Sequence, residues 1–305
     1  MRRLSSRCSR ALALVALVLP AHVLAQACCA GSSTLTPARL GIHEDAAIGV
    51  MARGTGVLGS YDAAGKYLVS PSGVAELDGE VDVVGTLRVL ADAQVTLLVP
   101  VVATWRQVTG LSELGGGLGD LNLSGRYDFW HAGQSRVLPG IAVMLGVTFP
   151  TGRAPEDATK LLATDATGVG AFQLTGGLAL EQSFGHFIVN LTALASWRTP
   201  RTVRGVDERL GAQFQGLLGV GYVFDNEASV ALSLGQVASL DAVVQGQRVF
   251  GSGHGLPSIG VSGSVPLGEA WRLQGGLSYN PPVAVLGWNQ TAGLGFTLSV
   301  LRTWT

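Results

Sequence analysis

The chain has 305 residues, of which 47% are hydrophobic, only 13% charged and 43 glycine, with a formal net charge of −1. No basic excess points to nucleic acid as a partner. Hydropathy is positive on average, yet beyond the N-terminus no apolar stretch reaches the ~18 residues of a membrane-spanning helix, which disfavours a helical membrane protein. Numerous but dispersed apolar residues are what a transmembrane barrel requires, because one face of each strand meets lipid and the other the lumen.

Met1 to Arg10 carries Arg2, Arg3, Arg7 and Arg10, Ala11 to Leu19 is an unbroken apolar run, and Val23-Leu24-Ala25 offers a cleavage site before Gln26. Residues 1–25 therefore read as a cleavable signal peptide. Its removal leaves 16 basic against 21 acidic residues, a net of −5, and takes Cys8 with it. Cys28 and Cys29 remain, open to a vicinal or intermolecular disulfide in an oxidising periplasm or to lipid attachment at Cys28. Against lipidation, Ala25-Gln26-Ala27 lacks the leucine usually found three residues before a lipidated cysteine. Two thiols with His43 as the only nearby imidazole do not complete a zinc site, so neither metal nor cofactor is expected. Residues 26–44 form a periplasmic N-terminal segment that could fold back as a plug, and residues 45–305 form the barrel.

Alternation of period two then recurs along the chain. Leu121, Leu123, Gly125, Tyr127 and Phe129 oppose Asp120, Asn122, Ser124, Arg126 and Asp128. Ile141, Val143, Leu145, Val147 and Phe149 form an apolar face whose opposite face, Gly140, Ala142 and Met144, is less polar than the others. The same alternation appears around Phe172 to Glu181, Gln213 to Phe224 and Trp271 to Tyr279. Strands are predicted at about 45–54, 79–90, 95–106, 119–130, 137–149, 171–181, 187–197, 212–224, 228–236, 256–267, 271–280 and 291–304. The fold class is thus all-β, a transmembrane antiparallel up-and-down β-barrel of about 12 strands, an even number as single-chain bacterial barrels require.

Connections alternate strictly between tight turns, as at Ala91-Asp92-Ala93, and longer loops near 55–78, 107–118, 150–170, 198–211, 237–255 and 281–290. Short turns are periplasmic in such barrels, which places both termini in the periplasm of an outer-membrane protein. Outward aromatics sort into two belts. Phe129, Phe187, Phe224, Trp271 and Trp304 form the periplasmic one, and Trp105, Phe149, Phe172, Trp197, Phe214 and Tyr279 the outer one. Arg302 interrupts the alternation near the end and could reach the interface by snorkelling.

The stretch Gly115-Gly-Gly-Leu-Gly-Asp-Leu-Asn-Leu-Ser-Gly-Arg-Tyr-Asp-Phe129, followed by Pro139-Gly-Ile-Ala-Val-Met-Leu-Gly-Val-Thr-Phe-Pro-Thr-Gly152, resembles the outer-membrane proteins grouped as the meta-pathway phenol-degradation (MetA-pathway) transporter family. The resemblance covers about forty residues. It implies passage of small solutes, aromatic or hydrophobic ones among them.

Candidate pore-lining residues are Arg88, Arg106, Asp120, Asn122, Arg126, Gln173, Glu181, Gln215, Arg272 and Gln274, all of inward parity, as are Asp82 and Asp128. They could line a pore or merely pair with one another and fill the interior. Arg198, Arg201, Arg204 and Arg209 crowd one extracellular loop and could clamp phosphates of outer-membrane lipids and lipopolysaccharide, or stay solvated. The loop 151–170 reads as a hydrated cap or an inward-folding constriction. A hydrolase would need a nucleophile beside a base. Ser252, His254 and Asp241 supply the residue types on one loop, in a spacing common by chance. Three readings follow: a channel or transporter for small solutes, a closed structural or surface-binding barrel, and, last, a hydrolase. The remaining expected partners are a small-molecule solute and the barrel-assembly machinery.

Overall fold

A computed structural model describes residues 40–305 apart from Ile42 and Arg136. The signal peptide, Cys28, Cys29 and most of the 26–44 segment lie outside the described residues. Twelve antiparallel strands make up the wall: β1 (Ala46–Tyr61), β2 (Val74–Leu90), β3 (Ala93–Val108), β4 (Leu121–Trp130), β5 (Gly140–Phe149) and β6 (Gln173–Phe184). β7 (Phe187–Arg198), β8 (Gln213–Val223), β9 (Ser229–Ser239), β10 (His254–Pro266), β11 (Trp271–Tyr279) and β12 (Gln290–Trp304) complete it. Each pairs with its sequence neighbours, and β12 closes on β1 in a ladder running from Ala46 opposite Trp304 to Tyr61 opposite Gln290. Closure satisfies the backbone of every strand without leaving an edge in the bilayer, the condition that lipid imposes.

Burial follows the alternation read from the sequence. On β3, Leu97 is 47% exposed and Leu98 only 2%, and on β5 Leu145 is 63% exposed beside Met144 at 3%. Outward side chains are therefore leucine, valine, isoleucine and aromatics facing lipid. The outward aromatics form edge-to-face pairs, Phe149 with Phe172 at 5.9 Å and Tyr222 with Phe224 at 5.0 Å, the geometry that ring quadrupoles favour. Arg302 lies over the rings of Trp271 and Trp304, 5.7 and 5.0 Å from their centroids. Its charge is held at the rim by cation–π contact.

The wall is taller on one side than the alternation indicates. β1 continues to Tyr61 and β2 begins at Val74, so much of the expected 55–78 loop is strand. Within the expected 107–118 loop, Leu111–Leu118 folds back as a strand on Val101–Val108 of β3. Glycine hides both extensions. Gly54, Gly56 and Gly59 interrupt the apolar rhythm of β1, and Gly115-Gly116-Gly117 that of the returning strand. At Gly115 a Cβ would stand 2.4 Å from the Thr164 carbonyl carbon, so the glycine makes room for the loop packed against it. The expected loops 198–211 and 237–255 also carry order, a small sheet of Arg201–Val203, Val206–Arg209, Val243–Val244 and Gln247–Arg248.

Candidate functional site

The lumen has three levels. At the end holding the short turns, the chain before β1 turns into the barrel mouth. The Leu40 amide donates to Gln94 Oε1 at 3.1 Å with Leu40 itself buried. Arg88 donates through Nη2 to the Gly41 carbonyl at 2.6 Å and through Nε to the Glu44 carbonyl at 2.9 Å. The Glu44 carboxylate pairs with Arg272 at 2.8 Å. Above this mouth lies a cavity of about 390 Å³. Arg126, Glu181, Arg272 and Gln274 line it, together with Asn190, Thr192, Thr297 and Ser299. Arg126 is neutralised by Asp128 at 2.7 Å and Glu181 at 3.7 Å. Gly219 on the neighbouring strand leaves room for the Asn190 amide, which a Cβ there would meet at 2.2 Å.

The middle level carries two apolar patches. Val84 and Leu98 are register partners, and Met51 lies on the diagonal from Val84, since Gly49 is the direct partner. Across the lumen Met144, Gly177 and Leu194 share one row, with Leu194 reaching over Gly177, where a Cβ would sit 2.3 Å from its Cδ2. Leu217 is diagonal to Leu194. Strand tilt carries equal heights along such diagonals rather than along hydrogen-bonded rows, so the two patches meet near one level. Met51, Val84, Leu98 and Leu217 border the same cavity from above. Opposite them the wall is small or polar, with Ser262, Gly276, Thr297 and Ser299.

The third level is a cap. Loop 150–172 folds inward over the opening, and Thr164, Ala166 and Thr167 are buried. Asp120 accepts from the amides of Gly152 at 2.9 Å and Val169 at 2.7 Å. Arg106 Nη1 donates to the Leu162 carbonyl at 2.6 Å while Nη2 pairs with Glu76 at 3.0 Å. Inside the loop, Asp165 accepts from Thr159 N and Oγ1 and from Lys160 N, and pairs with Arg153. Burial would raise its carboxyl, but these hydrogen bonds outweigh it and hold the group well below the usual carboxylate range. Of the two readings of this loop, the fold adopted is the inward one.

The ten pore-lining candidates thus separate into groups. Four border the cavity, Arg106 and Asp120 hold the cap, and Arg88 holds the mouth. Asn122 Nδ2 donates to Thr148 Oγ1 at 3.0 Å, and Gln173 accepts from Arg198 Nε at 3.0 Å. Gln215 is buried in the wall. Elsewhere on the inner wall, Asp82 pairs with Arg53 at 2.8 Å. Within the arginine loop, Arg198 turns inward, and Arg201 is enclosed by Glu156 at 2.6 Å and Glu208 at 3.1 Å. Arg204 and Arg209 remain exposed. His254 does not face Ser252: its Nε2 lies 3.1 Å from the buried Ser239 Oγ, while Ser252 Oγ donates to Val249 O at 2.7 Å and Asp241 pairs with Arg248 at 2.9 Å.

The sequence reading missed the apolar level, although the chain carries a signal for it. Val50-Met51, Val83-Val84, Leu97-Leu98, Met144-Leu145 and Leu217-Leu218 are apolar doublets inside alternating strands. Since neighbours point to opposite faces, each doublet places one apolar side chain in the lumen.

A closed barrel with a lipid-facing apolar wall, polar charged pairs inside and short turns at one end defines the class: an outer-membrane β-barrel. Among solved structures the chain is similar to an outer-membrane channel of Pseudomonas putida F1, at 17% identity and a TM-score of 0.70, over 88% of this chain and 100% of that one. More distant likenesses include the β-domain of the Bordetella autotransporter BrkA, at 10% identity and a TM-score of 0.47 over 86% of this chain and 100% of that one. The translocator domain of the Neisseria meningitidis autotransporter NalP has 10% identity and a TM-score of 0.44, over 86% of this chain and 88% of that one. No family model matches the chain, and the meta-pathway resemblance gains no support from one. No curated protein matches either.

Proposed function

We propose that the protein is a passive outer-membrane channel for small solutes, with the cap outside and both termini in the periplasm. The observation that carries this reading is the cavity of about 390 Å³ inside a closed wall, polar on one flank and apolar on the other. A space of that size fits a single-ring molecule with room to reorient. The fold shared with the Pseudomonas putida channel agrees with it, and the exposed Arg204 and Arg209 remain available to lipopolysaccharide phosphates.

Conductance of the purified, refolded protein in planar bilayers tests the proposal. Discrete openings are expected, and removal of residues 26–44 should enlarge them if that segment plugs the mouth, whereas shortening 153–168 should do so if the cap is the tighter obstacle. Absence of both conductance and liposome uptake of an uncharged solute in all three proteins, with folding verified by heat-modifiable gel migration, would leave a closed surface-binding barrel as the reading.

A further inference from the structure

We infer that the apolar level at mid-lumen is a dry selectivity throat that admits small uncharged molecules with an apolar side and turns back ions. The inference rests on the channel reading and specifies its substrate class. Six side chains form the throat: Met51, Val84, Leu98, Met144, Leu194 and Leu217. All are at most 9% exposed although they point into a lumen rather than a conventional core.

Charge is plentiful elsewhere inside the barrel but is arranged in pairs above and below this level. Beneath it Arg126 meets Asp128 and Glu181. Above it Arg53 meets Glu80 at 2.6 Å and Asp82 at 2.8 Å. None of the six is charged, and Asp82, the register partner of Met51, is already paired with Arg53, so an ion crossing this level would shed water without gaining an unengaged counter-charge, which is costly. Apolar side chains on six of the twelve strands also favour expulsion of water at this level, the way hydrophobic constrictions gate channels. An uncharged molecule meets a different surface. One of its faces can lie on the methionine and leucine side chains, while its hydroxyl or carbonyl groups turn to the serine, threonine and glycine wall of β10–β12. The cavity below presents the same two-sided chemistry through Asn190 and Gln274.

The test separates wetting from width. In liposome swelling, the full-length protein should pass methyl glucoside much faster than gluconate, with only small conductance in potassium chloride. Replacing Leu194 and Leu217 together by alanine widens the throat but keeps it apolar, so methyl glucoside entry should rise while ion conductance changes little. The serine pair, Leu194→Ser with Leu217→Ser, wets the same space, and ion conductance should rise about tenfold, with loss of the preference for the uncharged solute. Met144→Gln, close in shape and polar, should shift conductance in the same direction, and serves if the double serine protein does not fold. Equal ion conductance in the alanine and serine pairs, or full-length protein that passes gluconate as readily as methyl glucoside, would overturn the throat while leaving the channel intact. No swelling with either solute in any variant would overturn the channel reading and the throat with it.

Discussion

Two adjacent leucines show how one residue of register decides the environment. Leu218 points to lipid from mid-strand, so Leu218→Arg should destabilise the barrel by about 2–4 kcal/mol, the cost of a cation near the bilayer midplane. Inward parity alone predicts that Leu217→Arg is cheaper, as it would be in a wet lumen. Leu217 is 3% exposed among apolar neighbours, so its replacement by arginine should also cost stability, by overfilling a packed level and desolvating a charge. Urea titration of both variants in lipid vesicles checks the pair, and a near-neutral Leu217→Arg would show that the throat is hydrated. Parity was legible at almost every strand position, because lipid on one side forces apolar choices there. What the inward residue does was less legible: Arg126 and Arg106 share parity, yet one borders a cavity and the other ties down a loop from 56 residues away.

At the scale of elements, the twelve strands and the alternation of turns and loops could be read because each strand carries its own two-sided signal. Loop structure could not, since it depends on partners distant in sequence. The 150–172 loop is held by Asp120, Glu113 and Arg106 from outside and by Asp165 from within. Folding lowers the Asp165 pKa, so its contribution is fully present above the unfolded value near 4 and is lost only as pH falls through the lower folded value. The cap should therefore stay closed through neutral and mildly acidic conditions. Asp165→Asn should release it at any pH above about 4, seen as protease cleavage within 153–168 while the barrel itself remains resistant. Cleavage at equal rates in parent and variant would remove Asp165 from this role.

For the whole molecule, the proposed orientation rests on loop lengths and puts the capped end outside. A tag at Gly205, in the exposed turn after Val203, should be labelled on intact cells, and one at Gly133, in a short turn, only after the outer membrane is opened. The reverse pattern would invert the barrel. Closure has a further consequence, for assembly. The seam between β1 and β12 joins residues near opposite ends of the chain, so the last ladder to form spans nearly the entire sequence and carries the largest loop-closure cost. Until β12 has emerged and paired, Ala46–Tyr61 presents a sixteen-residue unpaired edge, long enough to recruit another chain. Sheltering that edge until the final strand arrives is thus the step at which this chain most needs help, and the long β1–β12 ladder makes the finished ring slow to reopen.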